Sequence, residues 1–278
     1  MTKHIKLQKD YTASCLYYQI KLPLDIEKNI PSDDPVRLLS TFVEGMKLSD
    51  LYNTYGKIKK DQVSPKQLLK IVIYAGMNRI YSSRDIEKSC RQDINFMYLL
   101  EGKPFPNHAT IARFISLHLS QCSSNILAEV SNILYELGGI SGRHIFIDGT
   151  KIESAANRYT FVWKKAVTKN QTKLFAKIEQ RNKTLYVSKT MKQKRAEDFE
   201  RITSPYGIQL RVNRSIQAER SFASVKQDME FRRYMYRGKE NVTAQSVILA
   251  IAHNINKLHN KIQSEKTGQH LFRLKETA

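Results

Sequence analysis

The sequence predicts a mainly helical chain with a small β-sheet, an α+β fold, on three observations. Apolar residues recur at three- and four-residue steps from Val36 to Leu137. The texture changes at Gly142, where two short β-type runs follow, Arg143 to Thr150 and Thr160 to Trp163. A last amphipathic stripe, about Val242 to Ile262, returns to helical spacing through Val247, Ile251, Ile255, Leu258 and Ile262.

Taken in order, residues 1–35 read as an arm, broken by Pro23, Pro31 and Pro35. Ser32-Asp33-Asp34 before Pro35 reads as a helix start, and Leu38, Leu39, Phe42, Met46 and Leu48 carry that helix to Leu51. The next helix has a full start signal. Ser64 caps, Pro65 suits the first helical position, and Gln67 completes a capping box. Ser82-Ser83 opens another helix through Ile86, Cys90, Ile94, Met97 and Leu100. After Gly102, Pro104 and Pro106, Asn107 caps a helix reaching His118. A fourth runs from about Ser124 to Leu137 and ends at Gly138-Gly139. This run fits either a helix-turn-helix reader of DNA, with the Asn107–His118 helix and its Arg113 facing the groove, or a plain bundle. Beyond the two β-type runs the chain becomes basic, with an exposed helix from Lys189 to Arg201 and a break at Ser204-Pro205-Tyr206-Gly207.

Composition bounds the function. The 278 residues carry 46 Lys plus Arg against 26 Asp plus Glu, a net charge of +20. Between Arg158 and Arg201 there are thirteen basic residues and four acids. Such a balance points to nucleic acid, whose phosphates supply most non-specific affinity, although a solvated surface would also use it. No stretch approaches the ~18–20 consecutive apolar residues of a membrane span, so a membrane is not an expected partner. Cys15, Cys90 and Cys122 are far apart and odd in number, against a disulfide framework or a zinc site. A reducing cytoplasm, with the protein at the nucleoid, fits this usage.

Two acids stand out. Asp148 ends the first β-type run before Gly149, where a carboxylate suits a hard divalent cation; a turn-forming Asp-Gly is the plainer reading. Glu219 lies in a helical segment from Arg214 to Lys226. At 100° per residue Glu219 and Lys226 fall within about 20° of each other, on the side of Ile216, Phe222 and Ala223. An acid on that inward side is either bound to a metal or paired structurally with the lysine. Arg214, Lys226, Arg232, Arg233 and Arg237 suit phosphate contacts, and equally a solvated face. His144, His253 and His259 read as structural.

HIFIDGTKIES with NRYTFVWKK resembles the first catalytic-Asp region of bacterial insertion-sequence transposases of the DDE class. GIQLRVNRSIQAERSF, with KQDMEFRRYMYRGKENV and NINKLHNKIQ behind it, resembles the region of their catalytic Glu. Upstream, SPKQLLKIVIYAGMNRIYSSRDIEKSCRQDINFMYLLEG and PFPNHATIARF resemble the helical N-terminal domain of that group. The resemblance covers roughly residues 36–175 and 184–270. It implies a helical, DNA-binding segment over 36–140 and a ribonuclease-H-like catalytic segment over 141–278. It further implies Asp148 and Glu219 as catalytic metal ligands, Mg²⁺ as the cation, and Arg214 and Lys226 on DNA phosphates. The family's chemistry is two-metal attack on phosphodiesters, with terminal inverted repeats and target DNA as partners. A homo-oligomer is left open.

One departure matters. The family carries a second catalytic Asp between its two other acids. Here seventy residues separate Asp148 from Glu219, and Asp198 is the sole Asp among them. Its basic helical setting matches the approach to the Glu segment, which implies an internal deletion near Glu179 to Lys183. Two Mg²⁺ ions carry a charge of +4, and losing one of three carboxylates weakens both sites. A truncated catalytic part without working chemistry is therefore expected.

Overall fold

The computed structural model describes residues 29–58, 61–144, 146, 152 and 189–271. Eleven helices, α1 to α11, are named among these residues. The first five are α1 (Pro35–Glu44), α2 (Ser49–Asn53), α3 (Pro65–Met77), α4 (Ser83–Gln92) and α5 (Ile94–Leu100). α6 (His108–Arg113) continues without a break through a π-helical turn, Phe114–Leu119, into α7 (Ser120–Glu136). Further on come α8 (Lys189–Thr203), α9 (Pro205–Arg214), α10 (Arg220–Ala223) and α11 (Lys239–Gln263). Two more π-helical turns, Ser215–Glu219 and Ser224–Asp228, bracket α10.

The expected α+β class is corrected here. About 70% of the described residues are helical and none lies in a strand. Arg143, His144 and Phe146, from the first β-type run, join no strand, and most of that run and all of Thr160–Trp163 lie outside the described residues. The physical reason is how the core closes. The apolar faces of α1, α3 and α7 are covered by α11, so helix packs on helix and the described core has no sheet layer.

Local chemistry sets these elements. Asp34 Oδ1 accepts from Val36 N at 2.8 Å and caps α1. Ser64 and Gln67 form the reciprocal box on α3: Ser64 Oγ accepts from Gln67 N at 3.2 Å, and Gln67 Oε1 accepts from Ser64 N at 2.9 Å. Asn107 Oδ1 accepts from Thr110 N at 2.8 Å. The helix expected to begin near Ser124 instead begins sixteen residues earlier, at His108. The π turn inserts an extra residue per turn and breaks the 3.6-residue phase.

α11 is the hub. Val247, Ile251, Ala252, Ile255 and Leu258 are buried in the same cluster as Leu39, Leu69, Ile73, Ile126 and Val130. Gly76 lets α3 approach closely, because a Cβ there would meet the Ala252 Cβ at 3.3 Å. A charged knot holds the other side. Lys70 is 1% exposed; its Nζ pairs with Glu44 Oε1 at 2.6 Å and Glu101 Oε1 at 2.8 Å, and donates to Ser40 Oγ at 3.1 Å. Burial pushes the Lys70 ammonium down, but hydrogen bonds to Glu101 and Glu44 outweigh it and hold the group above its ordinary value.

Candidate nucleic-acid and catalytic residues

The segment from Pro205 to Asp228 is one continuous helical rod, started by Ser204, whose Oγ accepts from Gly207 N at 3.0 Å. A side chain at Gly207 would run into the Arg201 carbonyl, so glycine sets the α8–α9 turn. At its far end the rod meets the core, where Ser224–Asp228 touches α11 and Val225 packs on the cluster.

Glu219 closes the first π turn and is exposed, as is Ala223; Ile216, Phe222 and Lys226 are half-buried. The inward placement expected for Glu219 is thus not found. The seven-residue alignment with Lys226 assumed α-helical turns throughout, but Glu219 ends one π-helical segment and Lys226 lies in the next, and such turns rotate less per residue. π turns of this kind cluster at functional sites. Buried Asn213 lies on the rod's inner side: its Nδ2 donates to Gln209 O at 2.9 Å, and Gln217 Nε2 donates to His270 O at 2.8 Å. Arg214 is exposed at the end of α9.

Arg232, Arg233 and Arg237 project from a loop, residues 229–238, that alternates anchor and charge. Met229 and Phe231 are buried, while Arg232, Arg233, Met235 and Arg237 are exposed. Phe231 packs edge-on against Tyr81 at 5.0 Å and Tyr234 at 5.2 Å. Tyr81 Oη donates to Met229 O, and Tyr234 Oη bonds Ser246 Oγ at 2.8 Å. Met235 N donates to Gln245 Oε1 at 3.0 Å. Glu230, at φ 51°, turns out to meet Arg79 at 3.0 Å. A loop backbone fastened this often has little freedom left to lose when its arginines meet a phosphate.

Arg113 is exposed at the last position of α6, and α6 packs against α4. Beside this contact Arg91 sits 4.3 Å over the Phe105 ring, and Glu87 Oε2 meets His108 Nδ1 at 2.9 Å. The His108 backbone N–H, then its side chain, holds the Glu87 carboxyl down at about 2. A shallow polar recess of about 260 Å³ opens between α2 and α7, lined by Asp50, Asn53, Thr54, Gln121, Cys122 and Asn125. None of the predicted site residues lines it.

The predicted residues are not gathered into one described site. Asp148 lies outside the described residues. Glu219, Lys226, Arg232, Arg233 and Arg113 make no ion pair among them, and no group of three or more His, Cys, Asp or Glu there is arranged to hold a metal. The described donors therefore do not assemble the oxygen cage a hard cation needs. Asp198, the sole Asp between the two acids, sits on exposed α8, 3.9 Å from Arg201. Sequence reasoning passed over the Lys70 knot, whose one local signal was a lysine inside the apolar run Leu68–Ile73. Cys90 and Cys122 are buried free thiols, and no described helix is long and apolar enough to cross a membrane.

Comparison with known families completes the picture. Residues 165–259 match a transposase DDE domain, and residues 24–117 match a second transposase domain (DUF772). No curated protein and no solved structure matches the chain. Lying in chain order, the two matches together support an insertion-sequence DDE transposase. DNA as partner and divalent-metal use in general come with that family.

Proposed function

We propose that the chain binds the terminal inverted repeats of its element through the helical segment 36–140 and adjoining basic residues, without cutting them. Arg113 on α6, Arg214 and Lys226 on the rod, and Arg232 and Arg233 on the anchored loop contact the DNA. The clamped arginine loop on a chain of charge +20 is the observation that carries DNA binding.

Loss of cleavage rests on Asp198. Of the acids the family uses, Asp148 and Glu219 remain as ligands for Mg²⁺, and the sole Asp between them is on an exposed helix surface, paired with Arg201. Two carboxylates compensate a pair of divalent ions poorly. The protein then acts at the nucleoid as an occupant of inverted repeats, competing there with intact enzyme.

A footprint on DNA carrying those repeats tests the binding half. Protection confined to the repeats, weakened in Arg113→Ala and Arg232→Ala/Arg233→Ala, is expected. Uniform protection of unrelated DNA would leave charge alone as the basis of binding.

A further inference from the structure

α11 ends in a line of basic side chains, apart from the residues assigned to DNA contact. His253, Lys257 and Lys261 recur every four residues, each about 6 Å further along the axis and some 40° around it. Ile251, Ile255 and Leu258 are buried in the core, which fixes how the helix is turned. Beside Lys261 the chain's end folds back. Gly268 N donates to Gly138 O at 3.2 Å, while Lys261 Nζ donates to Gly139 O at 3.3 Å and Gln269 O at 3.0 Å. Gln217 Nε2 holds His270 O at 2.8 Å. This clasp holds His270 in place and joins the tail to the chain just ahead of Arg143.

These basic groups disfavour one another's charged forms. Loss of solvent, then Lys257, pushes the Lys261 amine down; loss of solvent, then Lys261 and Arg143, does so for His270. His253 is lowered by burial and then by Lys257, with Asp228 opposing. Lys257, Lys261 and Arg143 form no ion pair among the described residues. Basic side chains lined along α11 and beside the clasped tail, with the Asp228 carboxylate opposing at His253, make a surface suited to an external anion. Lys257 stands twelve residues, or about 18 Å, along α11 from Gln245, which fastens the arginine loop.

We propose that His253, Lys257, Lys261, Arg143 and His270 form a phosphate-binding stripe for a nucleic-acid backbone, a second contact zone at the opposite end of α11 from the arginine loop. The ligand class is the phosphodiester. The nucleic-acid source rests on the DNA-binding reading above, whereas the phosphate site itself does not.

The test measures affinity of the full chain for a DNA duplex across salt concentrations. Lys257→Ala and Arg143→Ala are each expected to lower affinity about 3- to 10-fold at low salt. Each should also make the slope of log affinity against log salt shallower by about one. Lys257→Arg restores the slope, and Lys57→Ala, at an exposed lysine remote in sequence, leaves it unchanged. Thermal melts confirm that each variant is folded. DNA binding by the parent with unchanged affinity and slope in Lys257→Glu and Arg143→Glu overturns the stripe and leaves the DNA reading standing. If the parent binds no DNA, that reading fails, and a titration with inorganic phosphate decides the stripe by NMR of the His253 and His270 rings. Shifts that saturate and vanish in Lys257→Ala support it; no shift overturns it.

Discussion

Helices α3 and α8 are of similar length, 13 and 15 residues, yet are used in opposite ways. α3 buries eleven of its residues, including a lysine, while every described side chain of α8 is exposed. In α3 the apolar residues nearly surround the axis, so packing supplies its stability. In α8 three large apolar residues, Met191, Phe199 and Ile202, are scattered among charges and stay in water. Helical propensity and charge keep α8 helical; burial keeps α3 in place. The contrast explains why the chain can hold a firm core around α3 and α11 and still present a loosely supported basic surface.

The strongest way to break this contrast is to remove α11. Because α11 covers α1, α3 and α7, a chain ending at Gly238 is expected to lose the cooperative melt of the N-terminal helices. A sharp melting transition in that fragment would show that residues 36–140 fold independently. Next in size, Ile251→Ala or Leu69→Ala should cost about 2–5 kcal/mol in denaturant unfolding, since both are fully buried. Phe199→Ala on α8 should stay within about 0.5 kcal/mol. A comparable loss at both places would mean that α8 is covered.

The Lys70 knot gives a smaller effect. Lys70→Ala should cost about 1–3 kcal/mol, less than a fully enclosed pair, because Glu44 and Glu101 are half exposed and can be solvated. Its pH dependence has a defined sign. The Lys70 hydrogen bond, then that of Lys66, holds the Glu44 carboxyl below its ordinary value. That contribution is present above the unfolded carboxylate pKa, roughly 4.3, and fades as pH falls through the lower folded value. The raised Lys70 value acts at the other end, fully present below roughly pH 10.4 and lost above it. Glu44→Gln should therefore flatten the acid limb of a stability–pH curve, by under about 1 kcal/mol given its exposure. Smallest of all, Asp198→Ala should change neither stability nor DNA binding, as expected of an exposed acid on α8.

Much of the helical part was legible because its signals are local. The Ser64–Pro65–Gln67 start, the Asn107 cap and the Gly138–Gly139 stop all act within a few residues. The break at Ser204–Gly207 was legible for the same reason. What escaped depends on distance or on phase. The partners of Lys70 lie 26 and 31 residues away, and nothing in the run Leu68–Ile73 names them. The π turns leave no compositional mark, so the inward face drawn for Glu219 rotated away. The small sheet was read from runs such as Arg143–Thr150, yet the helical core is closed by α11, which begins only at Lys239. The family was readable from extended motifs; the described residues add the exposed settings of Glu219 and Asp198.

The most direct measurement incubates end-labelled DNA bearing the element's terminal repeats with the protein and Mg²⁺ or Mn²⁺, following bound and cut DNA in parallel. Binding without cleavage, identical in Asp148→Ala, is the expected result. Metal-dependent cleavage that disappears in Asp148→Ala would contradict it and show a working catalytic site.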